Sequence, residues 1–257
     1  RLRKSIPADT LLLFRLGDFY ELFFEDAKEA STLLNVALTK RNSVPMCGLP
    51  YHALERYLPK LLNAGYKAAV CDQMEDAKKA KGLVKREVTR ILTPGTVTDD
   101  FLLEERANNF LVSIARDNDT FGLAAIDSST GDFIITQATL LPRFLEEVAR
   151  LQPAEILLTP ELAAEETFCA ALKRAQACAV TPADEAEFLA TSPADIVRRH
   201  FQVTSLAGFG CEELPAAVHA AANAILYLQQ TQKSALQQLR ALRTYSLSEF
   251  MILDSAT

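Results

Sequence analysis

No run of apolar residues in this sequence of 257 residues approaches the ~18 that a membrane-spanning helix needs, so the hydropathy pattern offers no helical span. The opening RLRKSIPADT lacks the charged stretch, apolar block and cleavage site of a secretory leader, and the expected compartment is the cytoplasm. Cysteine is sparse and scattered. Cys47, Cys71, Cys169, Cys178 and Cys211 are odd in number and never stand as C-x-x-C, which argues for reduced thiols over a zinc or redox site. His52, His200 and His219 are far apart in sequence, leaving no evident metal constellation. The nine glycines never cluster, and no G-x-x-x-x-G-K-[ST] loop occurs. Nucleotide hydrolysis by that phosphate-cradling route is therefore excluded, and no cofactor or metal is expected in this chain.

What is present describes a globular protein of about two domains, since domains average roughly 100 to 200 residues. Hydrophobic residues make up 49% and charged residues 23%, enough to bury a core. The net charge of −6 argues weakly against a nucleic-acid binder, but it is unevenly spread. Residues 1–108 hold 17 basic against 15 acidic residues, and the remainder 10 against 18, so the front is +2 and the rest −8. Only the front part has a charge balance suited to a polyanion.

Along the chain, TLLLFRLG (10–17) reads as a buried strand. Asp18 then has the form of a helix N-cap, with Glu21 completing a capping box. Phe19, Leu22, Phe23, Ala27, Ala30 and Leu34 follow at helical spacing. ALTKR is expected as a short strand and loop, PMCGLP as a turn, and Tyr51 to Asn63 as a second amphipathic helix. KAAVCDQM and EVTRILTPGT supply further strands about a Lys-rich loop, DAKKAKG, and LLEERANN (102–109) is a polar connector. Beyond it FLVSIAR, FGLAAID and DFIITQ form an antiparallel meander, followed by alternating helices and strands to about residue 201. An antiparallel start followed by alternation suggests a mixed sheet with helices on its faces, like ribonuclease H. From about residue 214 the pattern is almost wholly helical and is expected to open a further helical domain that breaks off at MILDSAT.

On the residues alone, Phe19 is a core position on a first helical turn, Glu21 the third position of a capping box, and Arg15, Lys40 and Arg41 solvated charges. The phrases LLLFRLGDFYELFFEDAKEAS, LTKR, PMCGLPYHALERYLPKLLNAGYKAAVCDQMED and VTRILTPGTVTDD, followed by LAAIDSSTGDF, QQTQK and MILDSAT, resemble in the same order the opening part of MutS-type DNA mismatch-repair proteins. The resemblance covers the whole chain. It implies an α/β architecture: a mixed α/β mismatch-recognition domain (1–106), a ribonuclease-H-like connector (107–213) and a truncated start of the helical core domain (214–257).

It also implies roles. Phe19 becomes a wedge in the minor groove at a mispaired or unpaired base, and Glu21 accepts a hydrogen bond from the displaced base. Asp18, Arg15, Lys40 and Arg41 become candidates for DNA contact, and Met46 a brace at the kink. The loop between Arg41 and Pro45 is only NSV, shorter than the Gly-rich insertion common in relatives, which puts the contacts of that insertion in doubt. The connector would relay to the ATPase and to MutL. The ATPase, with its ATP and Mg²⁺, and the main homodimer contacts would lie in the parent protein beyond this chain, so no enzymatic activity is expected.

Two readings of other classes stand beside this one. A Mg²⁺-dependent nuclease would use Asp127, at the end of a connector strand, with Asp132 across the hairpin. It lacks convincing third and fourth carboxylates, because Glu146, Glu147 and Glu155 read as helix-surface and loop charges. A protein-interaction module that binds no DNA is the other.

Overall fold

A computed structural model describes residues 9–74, 86–96, 108–232 and 236–247, together with 3, 6 and 7. The Lys-rich loop, most of the expected connector and the closing MILDSAT lie outside the described residues. The chain divides into two compact units, 1–104 and 105–257.

The first unit contains β1 (Thr10–Leu16), β2 (Phe19–Phe23), α1 (Phe24–Leu34), β3 (Thr39–Arg41), β4 (Val44–Pro50), α2 (Leu54–Asn63), β5 (Lys67–Gln73) and β6 (Arg86–Leu92). They build one mixed sheet in the order β3-β4-β2-β1-β5-β6. β1 pairs with β5 in parallel and with β2 antiparallel. Residues of period two on β1, β2 and β4, namely Leu11, Leu13, Tyr20, Leu22, Cys47 and Leu49, form the main core with Ala27, Ala30 and Leu34 of α1 and Leu58, Leu61 and Leu62 of α2.

The helix expected from Asp18 begins later. Phe19–Phe23 is a strand, α1 starts at Phe24, and no side chain caps its N-terminus. Gly17 (φ 59°) allows a two-residue turn that folds the chain back onto β1, pairing Leu16 with Phe19. Once folded back, β2 gains ladder partners on both edges from β1 and β4, and this outweighs the local capping pattern. PMCGLP is likewise a strand. Its prolines lie near the two ends of β4, where fewer ladder donors are needed.

The second unit contains β7 (Phe110–Asp117), β8 (Thr120–Asp127), β9 (Asp132–Ala138), α3 (Leu141–Leu151), β10 (Glu155–Leu158), α4 (Pro160–Ala164), α5 (Glu166–Ala175), β11 (Ala179–Pro182), α6 (Pro193–Phe201), α7 (Pro215–Thr231) and β12 (Arg243–Thr244). The sheet runs β11-β10-β7-β8-β9-β12. Its first three strands are an antiparallel meander, and β10 and β11 add in parallel, which is the ribonuclease-H-like order. One face packs Val112, Ile114 and Leu123 against Phe144, Val148, Phe168 and Leu172 of α3 and α5. The other packs Leu111, Ala124, Ile126 and Ile135 against α6 and α7.

The segment from residue 214 departs from expectation. α7 is buried nearly all round and lies on the connector sheet, so it is part of the second unit's core and does not open a separate helical domain. Gly122 permits the contact: a Cβ there would stand 2.0 Å from the carbonyl carbon of Ala216 and 2.4 Å from the nitrogen of Ala217. The residues after α7 are not helical throughout. They return to the sheet as β12, where Tyr245 donates its backbone N–H to Ile135 and its hydroxyl to Glu147. His200 of α6 hydrogen-bonds the Leu239 carbonyl, and burial holds its pKa below the ordinary histidine value.

Two expected outcomes follow from this packing. Gly122→Ala should cost about 3 kcal/mol or more in urea denaturation, because backbone on both sides must move. Because burial lowers the folded-state pKa of His200, the unfolded chain takes up the proton first as pH falls below about 6.5, and stability drops. His200→Gln should flatten that fall below about pH 6.5; an unchanged slope would assign it to other groups.

Candidate nucleic-acid interface

In a strand, side chains two apart share a face, whereas in a helix they diverge by about 200°. The β2 assignment therefore brings Phe19 and Glu21 together. Tyr20 and Leu22 turn into the helix-covered core, and Tyr20 anchors the strand by donating its hydroxyl to Asp72 Oδ1 at 2.6 Å. Burial and the Asp72 carboxylate push the Tyr20 hydroxyl pKa up to about 12. On the other face Phe19 is 46% exposed, a large apolar side chain left in water. Gly48 pairs with Glu21 across the ladder and lies beside both side chains: a Cβ on Gly48 would stand 3.7 Å from Phe19 Cδ1 and 3.8 Å from Glu21 Cγ.

Glu21 is nearly enclosed, and its carboxylate has a partner. Arg41 Nη1 donates to Oε1 at 2.8 Å and to Oε2 at 2.7 Å, reaching from edge strand β3 across β4. Asn42 and Ser43, both with left-handed φ, close β3 onto β4 as a two-residue turn and set Arg41 opposite Val44. The short NSV loop is thus a tight hairpin. Met46 pairs with Phe23 and Thr39, which puts it on the same face as Phe19, Glu21 and Arg41.

The other candidates are not part of this group. Asp18 sits in the hairpin turn, its carbonyl accepting from the Tyr51 N–H at 2.9 Å. Arg15 pairs with Tyr20, on the opposite face from Phe19, and its guanidinium lies 3.7 Å from the Tyr51 ring centroid. Lys40 alternates away from Thr39 and Arg41 and is exposed. Sequence reasoning missed Gly48 and the pairing of Arg41 with Glu21. The signals were the alternations F-x-E-x-F and M-x-G-x-P, which specify one strand face each.

In the second unit, both oxygens of the Asp127 carboxylate are engaged by the chain itself. Oδ1 accepts from the Ser129 N–H (2.9 Å) and hydroxyl (2.6 Å), and Oδ2 from the Asn109 N–H (3.1 Å), so Asp127 shapes its own turn. Asp132 pairs with Arg243. Among the described residues no three His, Cys, Asp or Glu converge as a metal site, the five cysteines are free, and no helix is long and apolar enough to cross a membrane.

Two mixed α/β units, the second ribonuclease-H-like, define the class of the protein. Family models agree with this division: MutS domain I matches residues 2–101 and MutS domain II residues 109–240. The chain belongs to the MutS family. It is 45% identical to the DNA mismatch repair protein MutS of Symbiobacterium thermophilum across 100% of this chain and 30% of that protein. The MutS of Halothermothrix orenii is 43% identical (99% of this chain, 29% of the relative), and that of Methanococcoides burtonii 42% (99% and 30%). The chain thus spans about 30% of the length of these curated relatives, over the part that holds domains I and II.

Because Phe19 is half in water and Leu22 is fully buried, their truncations should separate. Phe19→Ala should change unfolding free energy by less than about 1 kcal/mol. Leu22→Ala should cost about 3 kcal/mol. Denaturant titration checks both, and a large cost for Phe19→Ala would mark it as a packing residue.

Proposed function

We propose that the first unit reads mispaired or unpaired bases in double-stranded DNA, within the mismatch-repair role that the relatives' name carries. Phe19 is the wedge and Glu21 the acceptor for the displaced base. The observation that carries this reading is the exposed Phe19 ring beside the Glu21 carboxylate on a sheet face that the helices leave free.

An aromatic wedge in the minor groove unstacks a base step at a cost of a few kcal/mol, and a mismatch lowers that cost because its pairing and stacking are already weak. Deformability is then the quantity read. Rigidity of the reader matters as much as its chemistry. β2 is a central strand, its back pinned by Leu22 and by the Tyr20–Asp72 hydrogen bond, so Phe19 is presented from a fixed platform. The enclosed carboxylate beside Phe19 gains a hydrogen bond only where a rotated base offers it a proton, and this sharpens the choice of defect over match. Met46, on the same face, would brace the kinked step. Lys40, exposed on edge strand β3, is free to meet the backbone. The second unit serves as the connector, relaying to the ATPase and to MutL in the longer, homodimeric parent protein, where ATP and Mg²⁺ act; cytoplasmic residence accords with this role.

Fluorescence anisotropy at low salt tests the reading. The chain should bind a duplex with one G·T pair or one unpaired base about tenfold more tightly than its perfect match, the worth of one well-placed contact of about 1.4 kcal/mol. Phe19→Ala should abolish the difference. Equal affinity of the unsubstituted chain for both duplexes would contradict the assignment, as would a preference that survives Phe19→Ala.

A further inference from the structure

We propose that Arg41 is a positioning residue for Glu21: its guanidinium holds the carboxylate beside Phe19 and cancels its charge toward the DNA backbone. This rests on the reading of Phe19 and Glu21 as the defect contact.

The geometry is asymmetric. The Glu21 side chain is only 11% exposed, while that of Arg41 is 50% exposed. The anion is thus sunk into the sheet face with its counter-ion on the solvent side. One nitrogen, Nη1, spans both carboxylate oxygens, which fixes the plane of the group and leaves each oxygen a lone pair for a further donor. A carboxylate so placed without its cation would be an uncompensated, poorly hydrated charge, costly by itself and more so beside phosphates. The ion pair instead approaches DNA as a nearly neutral unit whose remaining acceptor capacity faces the base.

The local fold serves this pairing. The Asn42–Ser43 turn sets Arg41 opposite Val44, with Arg41 and Thr39 on the face that carries Glu21, while Lys40, one residue away, alternates to the other face. Basic residues adjacent in sequence therefore do different work: Arg41 acts through Glu21, and Lys40 is left free in solvent. A one-residue slip in this hairpin would exchange them.

A double-substitution cycle distinguishes this role from an independent phosphate contact. Affinities for a duplex with one unpaired thymine are measured for the unsubstituted chain, Arg41→Met, Glu21→Gln and the double variant, with Arg41→Lys and Phe19→Ala alongside. Arg41→Met should weaken binding about tenfold or more while Glu21 is present, the scale of close charge pairs across interfaces. It should cost less than about threefold once Glu21 is replaced, because the partner through which it acts is gone. Arg41→Lys, which keeps the charge, should recover part of the loss. Equal losses in both backgrounds would overturn the inference and make Arg41 a plain backbone contact. If Phe19→Ala keeps the preference for the defect, or the unsubstituted chain has none, the underlying reading fails and this inference with it. A Phe19→Ala loss with additive Arg41 and Glu21 effects removes this inference alone.

Discussion

The candidate site depends on the two-residue period of β2 and on the turn at Gly17 that makes β2 a strand. If Phe19, Tyr20 and Glu21 were helical, the ring and the carboxylate would point in different directions. Folded back on β1, the same three residues sort onto two faces, with Tyr20 held inward by Asp72 and its neighbours outward. A positive φ at the first turn position is needed for this reversal, and glycine supplies it without steric cost. The gathering of Phe19, Glu21, Gly48 and Arg41 on one face is then a consequence of ladder register across β1, β2, β4 and β3.

Much of the fold was legible in the sequence. The meander β7 to β9 and the alternating helices and strands that follow it to residue 201 lie where periodicity and turn residues place them. Where sequence pattern and structure differ, the cause is a local pattern with two physical meanings. Asp18 and Glu21 satisfy a capping box, but Gly17–Asp18 is also a two-residue hairpin signal between apolar runs, and long-range pairing decided between them. Proline and glycine in PMCGLP suggest a turn, yet β4 accepts them because its prolines stand near its two ends. The helical pattern at 215–231 suggests the start of a new domain. Its apolar character on every side already marked a helix buried within an existing one.

The geometry of the candidate site was not legible in the sequence. Phe19 and Glu21 were named through family resemblance, and spacing alone assigned them to packing and capping. That Arg41 belongs with Glu21 while Lys40 and Arg15 turn elsewhere follows from strand parity, which requires the register. Asp127 shows the converse: a carboxylate at the end of a strand invites a metal, but four donors of its own turn and flanking backbone occupy it.

The central claim is that the sheet face bearing Phe19 meets the DNA, and an NMR titration tests it directly. With a duplex carrying one unpaired base, the perturbed signals in the first unit should be those of Phe19, Glu21, Arg41, Met46 and Gly48, with the core faces of α1 and α2 unmoved. Perturbations centred on α1 and α2, or an undisturbed Phe19 ring in the presence of bound duplex, would contradict the account.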